Sequence, residues 1–264
     1  MEFLGYLVTG AAAGTLAGLF GVGGGLIIVP ALVFAFTLLG LSPEYITHLA
    51  VGTSLATIIP TSLSSTFSHN KSGNVFWPGV KLLAPGIMLG AWLGVAIAVQ
   101  LSSASLQLII GIGAILIGFR LLLSKKEDKG GQGALPAPPL MLTGGTMIGL
   151  ISAIFGIGGG SLTVPFLTRF GMGMKWAVGT SAACGVPIAV MGAVANIVLG
   201  DNIEGLPELS TGLVYWPAFA GIVLMSVPFA RLGAKLAHQL PAKVLRRLFA
   251  CLLFVVGLKF ILGS

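Results

Sequence analysis

The residues whose types and spacing could do chemistry in this sequence are two glycine clusters and two hydroxyl pairs. The first cluster is Gly21-Val22-Gly23-Gly24-Gly25, followed by Pro30; the second is Gly156-Ile157-Gly158-Gly159-Gly160, followed by Pro165. Each interrupts a long apolar run. A glycine turn at membrane depth leaves backbone N–H groups that hydrocarbon cannot satisfy, so it survives only buried in protein or lining a cavity. Where a half-length helix restarts, just after Gly25 and Gly160, bare N–H groups carry the positive end of the helix dipole and suit an anion. Close helix packing is the competing explanation, although three consecutive glycines exceed what packing needs. The four-residue spacing of Gly10, Gly14 and Gly18, and of Gly86, Gly90 and Gly94, favours packing at those sites.

The hydroxyls belong to AVGTS, which stands at 50–54 and again, letter for letter, at 177–181. Ser and Thr in a membrane helix commonly bond back to their own backbone, but recurrence beside each glycine cluster points to a shared role. The substrate-binding set expected on these grounds is Gly23, Gly24, Gly25, Thr53 and Ser54 from one half of the chain, and Gly158, Gly159, Gly160, Ser161, Thr180 and Ser181 from the other. Leu26 stands opposite Ser161, so the pocket is asymmetric. Backbone donors and hydroxyls without a charge would suit a small oxyanion.

Other chemistries fare worse. GVGGGL opens like a dinucleotide fingerprint, but Leu26 occupies its third glycine position and no βαβ context surrounds it. No P-loop ATPase motif and no metal-ligand spacing occur, no nucleophile–base pair is visible, and no cofactor is called for. Glu2, Glu44, Glu127, Asp128, Asp201, Glu204 and Glu208 all lie at a terminus, loop or linker, so the intramembrane acid relay common in proton-driven carriers is missing. His48 and His69 read as interfacial polar residues. Arg120, Arg231 and Lys259 read as snorkelling anchors near helix ends, and Cys184 and Cys251, both in apolar runs, as packing residues.

The elements that must position these groups follow from composition. Of 264 residues, 56% are hydrophobic and 8% charged, and the mean hydropathy is +1.04. Soluble domains carry roughly 25% charged residues, so this chain has no hydrated exterior and is an integral membrane protein. The net charge of +7 resides in short loops rather than on a continuous basic face, which argues against nucleic acid. The start of the chain lacks the basic region that precedes the apolar core of a cleavable signal peptide, and the first segment is expected to be mature structure. Spanning-length apolar runs occupy about 3–40, 46–68, 76–100, 105–123, 140–168, 176–199, 212–237 and 243–262. A ~30 Å hydrocarbon core needs only ~20 helical residues, so the first and fifth runs are too long for one crossing. Broken at their glycine clusters, they raise eight segments to about ten helices.

The two halves are copies of each other. LFGVGGGLIIVPAL at 19–32 matches IFGIGGGSLTVPFL at 154–167 in eight of fourteen positions, and AVGTS, Trp77-Pro78 with Trp216-Pro217, Ala91-x-Leu93-Gly94 with Ala230-x-Leu232-Gly233, and Gly118 with Gly257 follow in order. A polar stretch, SKKEDKGGQGALPAPP at 124–139, separates a transmembrane repeat at 1–123 from another at 140–264. Equivalent loops differ in charge: His69 and Lys71 are answered by Asp201, Glu204 and Glu208, while the uncharged 101–104 turn is answered by Arg231, Lys235, Lys243, Arg246 and Arg247. The positive-inside rule then gives the halves opposite orientations. The linker and the Arg231–Arg247 region are expected in the cytoplasm and Asp201–Glu208 outside, with each broken run forming a hairpin that enters and leaves on one side. The expected fold class is an all-α integral membrane protein with two homologous halves in an inverted-repeat arrangement.

With FGVGGGLIIVP, AVGTS and FGIGGGSLTVP in place, the chain resembles the TauE/SafE family of sulfite and organosulfonate exporters over essentially its whole length. The resemblance implies a multi-pass permease of the bacterial or archaeal inner membrane that exports small sulfur-containing anions such as sulfite or sulfoacetate. It does not assign the anion or the coupling ion. The partners expected are a small anionic substrate and the lipid bilayer, with no nucleic acid; a homo-oligomer stays open. The alternative from another class is a membrane-embedded accessory or assembly subunit with no transport of its own.

Overall fold

The computed structural model describes residues 2–20, 25–123, 136–237 and 242–263. Ten helices lie among them. In the first half they are α1 (Glu2–Phe20), α2 (Gly25–Leu38), α3 (Ile46–Lys71), α4 (Trp77–Ala98) and α5 (Ser103–Leu123). The second half repeats the series as α6 (Pro138–Phe155), α7 (Gly160–Arg169), α8 (Met174–Gly200), α9 (Trp216–Ala237) and α10 (Ala242–Leu262). Among the described residues, α3, α4, α5, α6 and α8 are both long and apolar enough to cross a membrane. The protein is therefore an all-α, multi-pass membrane protein. Its surface agrees, since Phe67, Leu116, Val255 and Leu262 are each more than 60% exposed, as lipid-facing side chains are.

Both over-long runs are broken. α2 has 14 residues and α7 has 10, which gives ~21 and ~15 Å, well short of a ~30 Å core. The break after α6 is a Schellman stop: Gly156 adopts φ +63°, its N–H donates to the Ala153 carbonyl and the Ile157 N–H donates to the Ser152 carbonyl. Residues 21–24 of the matching break, including Gly23 and Gly24, lie outside the described residues. So do residues 124–135 of the linker and the side chain of Arg231.

One element was not foreseen. Ser210–Thr211 and Val214–Tyr215 pair as a short antiparallel hairpin ahead of α9, so the run that starts at 212 does not begin as helix. Gly212, at φ +52°, makes its turn, and Leu213 is fully buried with its N–H on the Asn196 carbonyl.

Contacts fix the helix directions. Gly52 approaches Asn196, Gly192 approaches Leu55, Gly185 approaches Ser62, and Gly179 approaches Asn74 just beyond α3. The partner number falls as the α3 number rises, so α3 and α8, which are equivalent in the repeat, run antiparallel. The equivalent pair α5 and α10 does the same, with Gly111 against Phe260 and Gly118 against Phe254. By contrast α4 lies parallel to α6, and α1 parallel to α9. Added Cβ atoms on Gly10, Gly14 and Gly94 would fall 2.7, 2.5 and 2.5 Å from the carbonyls of Ile222, Ser226 and Leu150, so these stripes serve backbone-to-backbone packing. Exchanging the halves maps the α1–α9 pairing onto α6–α4.

These directions place both ends of the α1–α2 hairpin on the face that carries Trp216, and both ends of the α6–α7 hairpin on the face that carries Trp77. Charge follows the same division. Glu2, Glu44, Asp201, Glu204 and Glu208 belong to the Trp216 face, and among the described residues Lys259 is the only Lys or Arg at that end. Lys71, Arg120, Arg169, Lys175 and the start of α10 belong to the Trp77 face.

Candidate functional site

Each AVGTS motif grips the other half of the chain. Thr53 and Thr180 are both 0% exposed. The Thr53 hydroxyl accepts the Tyr215 N–H at 3.0 Å, and the Thr180 hydroxyl accepts the Phe76 N–H at 3.0 Å. Tyr215 and Phe76 each precede the Trp-Pro pair that starts α9 and α4. The neighbouring glycine is required for the same approach, because a side chain on Gly52 would strike the Leu213 carbonyl and one on Gly179 the Asn74 carbonyl. The recurrence of Val-Gly-Thr thus has a mechanical reason: an extended segment of one half lies across a helix of the other, and the threonine satisfies an N–H that no helix can.

Ser54 is also committed across the repeat. Its hydroxyl donates to the Gly156 carbonyl at 2.8 Å, securing the tip of the second hairpin. Gly25 packs directly against Gly156 and Ile157, so the two glycine clusters meet at the interface of the halves.

Ser181 takes a different place. With Gly158, Gly159 and Gly160 it lines a partly open pocket completed by Thr61, Ser62, Ser65, Ala182 and Gly185. A water-sized sphere can place its centre there over about 30 Å³, at least twice what one ordered water requires. Among the described residues, no carbonyl accepts from the N–H groups of Gly158, Gly159, Gly160 and Ser161; the first backbone bonds of α7 come from Leu162 and Thr163 to the Gly159 carbonyl. The pocket therefore combines an uncapped helix N-terminus with hydroxyls from Ser62, Ser65 and Ser181, whereas the Thr61 hydroxyl donates back to the Thr57 and Ile58 carbonyls; no charged side chain lines it. Such a group of neutral donors can hold an anion by charge-assisted hydrogen bonds without neutralising it. Gly159 itself has φ −52°, so only space opposes a side chain there: a Cβ would stand 2.5 Å from Ile188 Cδ1 and 2.8 Å from Thr163 Oγ1, and those side chains would have to shift.

The expected site residues thus separate. Gly158, Gly159, Gly160 and Ser181 converge on the pocket. Ser161 is half-buried beside it, its hydroxyl buried and unpartnered. Thr53, Ser54 and Thr180 hold the halves together, and Gly25 lies at the contact of the clusters. Thr61, Ser62 and Ser65 were missed, although the hydroxyl-rich stretch TSLSST at 61–66 was there to be noticed.

The remaining polar candidates have structural placements. His48 is 5% exposed, and its Nε2 lies 3.1 Å from both the Ala98 and Leu101 carbonyls, which bolts the start of α3 to the α4–α5 turn. The Lys259 ammonium sits 4.4 Å over the Phe34 ring, a cation–π contact at a helix end. Among the described residues, no group of three or more His, Cys, Asp or Glu is placed to hold a metal.

Comparison with known proteins agrees with this architecture. The family model described as "Sulfite exporter TauE/SafE" matches residues 6–260. A "Probable membrane transporter protein" of Haemophilus influenzae is 38% identical over 256 residues, covering 97% of each chain. The Bacillus subtilis "Probable membrane transporter protein YunE" is 30% identical over 99% of this chain and 98% of its own, and a counterpart in Methanocaldococcus jannaschii is 29% identical over 96% and 92%. No solved structure matches. The chain belongs to the TauE/SafE sulfite exporter family and is similar throughout its length to membrane transporters.

Proposed function

We propose that this TauE/SafE family member exports small sulfur-containing anions, sulfite or organosulfonates, across the inner membrane through the pocket at the second glycine tip. The observation that carries the proposal is the run of unpartnered N–H groups from Gly158 to Ser161 beside the hydroxyls of Ser62, Ser65 and Ser181, in a pocket without a charged side chain. A sulfonate or sulfite presents several oxygens to such donors at once. Each neutral hydrogen bond contributes ~0.5–1.5 kcal/mol net, and hydrogen bonds to a charged acceptor ~1.5–3 kcal/mol, enough in combination for selective binding and weak enough for release. The substrate class comes from the family description; the pocket supports it by chemistry and not by size alone.

Sidedness supports export from the cytoplasm. The basic Trp77 face is cytoplasmic under the positive-inside rule, and the acidic Trp216 face is external, which makes the two halves an inverted repeat in the membrane. Ser62 lies nine residues, or ~14 Å, from the Trp77 end of α3 and 16 residues, or ~24 Å, from its other end. The pocket is thus nearer the cytoplasm, where an exporter loads.

The test is a flux assay with the purified chain alone in liposomes, loaded in turn with sulfite, sulfate, thiosulfate and a series of sulfonates. Anion-dependent flux that falls in Ser62→Ala and Ser181→Ala is expected. A chain that binds and moves none of them would instead be an accessory subunit.

A further inference from the structure

The repeat makes a second pocket on the Trp216 side a geometric expectation. AVGTS recurs at a spacing of 127 residues, and Pro60 and Pro187 recur at the same spacing, so α3 and α8 share one register through the site. Each residue lining the pocket therefore has a counterpart in the other half. Leu55 stands where Ala182 does, Ile58 where Gly185 does, and Ile188 where Thr61 does. The hydroxyls of Ser62 and Ser65 are answered by Ala189 and Gly192, and the Ser54 hydroxyl is occupied by the Gly156 carbonyl.

Among the described residues, the lining of the counterpart is buried rather than open. Leu55, Ile58 and Ile188 are each 0% exposed. Their terminal methyls press on the glycines of the tips and of α8: added Cβ atoms would stand 2.9 Å from Leu55 Cδ1 at Gly192, 3.0 Å from Ile58 Cδ1 at Gly25, and 2.5 Å from Ile188 Cδ1 at Gly159. Further toward the Trp216 face, Tyr6, Phe36 and Tyr215 meet edge to face with ring centroids 5.7 to 6.4 Å apart. An anion in the pocket thus lies nearer the Trp77 face, with an apolar plug between it and the Trp216 face. An unhydrated anion cannot cross such a plug, because nothing there replaces its lost hydration.

We propose that Leu55, Ile58 and Ile188 form the external gate of the anion path, the closed counterpart of the cytoplasmic pocket. The gate rests on the export reading for its function, but its position follows from the repeated sequence and its closure from the burial of Leu55, Ile58 and Ile188. Opening requires Ile58 and Ile188 to leave the glycine tips and Leu55 to leave Gly192 of α8, which is a rearrangement of α3 against α8. Pro60 and Pro187 lie within that stretch, and each removes a backbone hydrogen bond from its helix.

Thiol labelling and flux test it together, in a Cys184→Ala, Cys251→Ser background reconstituted in liposomes of known orientation. Ser65→Cys is expected to react with an impermeant thiol reagent from the Trp77 side, and Ile188→Cys from neither side in the absence of substrate. Leu55→Ala and Ile188→Ser should raise downhill sulfite flux severalfold over the parent, with Leu55→Val as the milder variant should Leu55→Ala fail to remain monodisperse. Rapid labelling of Ile188→Cys from the Trp216 side without substrate would overturn the gate, as would folded Leu55 and Ile188 variants whose flux equals the parent's. Labelling needs no transport. A parent that moves no anion while Ile188→Cys stays protected therefore defeats the export reading and leaves the apolar closure standing.

Discussion

Replacing Thr53 or Thr180 with valine swaps a hydroxyl for a methyl of nearly the same volume, and the structure says what is lost. Thr180 Oγ1 accepts the Phe76 N–H, Thr53 Oγ1 accepts the Tyr215 N–H, and both threonines are fully buried. Each N–H points at a fully buried side chain, so each substitution leaves a donor facing a methyl, at about 1–3 kcal/mol per site. The two threonines act near opposite ends of α3, more than about 25 Å apart by helix rise, so their costs should add. A double variant then loses about 2–6 kcal/mol, a large part of the 5–15 kcal/mol typical of a folded protein. Thr53→Ser and Thr180→Ser keep the acceptor and should stay close to the parent. The assay is the rate of thermal unfolding in one detergent at one temperature, since membrane proteins often unfold irreversibly. If one valine variant unfolds faster and the other matches the parent, the reciprocal clamp is wrong.

Three further outcomes are expected. Ser62→Ala and Ser181→Ala should weaken anion binding by about 13- to 160-fold each, the equivalent of ~1.5–3 kcal/mol for a hydrogen bond to a charged acceptor, with thermal stability unchanged; calorimetric titration with sulfite reads the loss. Gly159→Ala should lower transport because its methyl meets Ile188 Cδ1 and Thr163 Oγ1 within 3 Å, whereas Gly5→Ala, with nothing within 4 Å, should transport like the parent. Single cysteines at Lys175 and Glu204, in the cysteine-free background, should label from opposite faces of the membrane; labelling from one face would refute the assignment of sides.

What the sequence made legible was whatever a one-dimensional signal can carry. A 34-residue apolar run from Phe3 to Phe36 would make a ~51 Å helix, so the breaks at the glycine clusters followed from length alone, and repeat landmarks with loop charge pointed to two halves of opposite orientation. The role of AVGTS was hidden because its partners are distant. The N–H groups that Thr180 and Thr53 satisfy are 104 and 162 residues away, and the same letters would fit a ligand pocket equally well. Thr61, Ser62 and Ser65 escaped notice because hydroxyls are common in membrane helices, and only the fold shows which of them, Ser62 and Ser65, face a gap unbonded and which, like Thr57 and Thr61, bond back to their own helix. The Ser210–Tyr215 hairpin carries no alternating pattern long enough to register, since each strand has two residues.

A neutral pocket also bears on how export would be driven. A site with a buried Lys or Arg would carry the anion as a neutral pair, and the membrane field would do little work on it. The donors here are backbone N–H groups and hydroxyls, so the bound anion keeps its charge as it passes Leu55, Ile58 and Ile188. With the interior ~100 mV negative, each exported negative charge releases about 2.3 kcal/mol. At ~1.4 kcal/mol per factor of ten, that sustains a gradient of roughly 50-fold for a monoanion and roughly 2,000-fold for a dianion. No coupling ion is needed for net efflux on these terms, which fits a protein whose described acids, Glu2, Glu44, Asp201, Glu204 and Glu208, all stand at the Trp216 end and away from the pocket. The gate then has to keep other cytoplasmic anions from following the same field, and a dry apolar constriction that opens only by rearrangement of α3 against α8 meets that requirement.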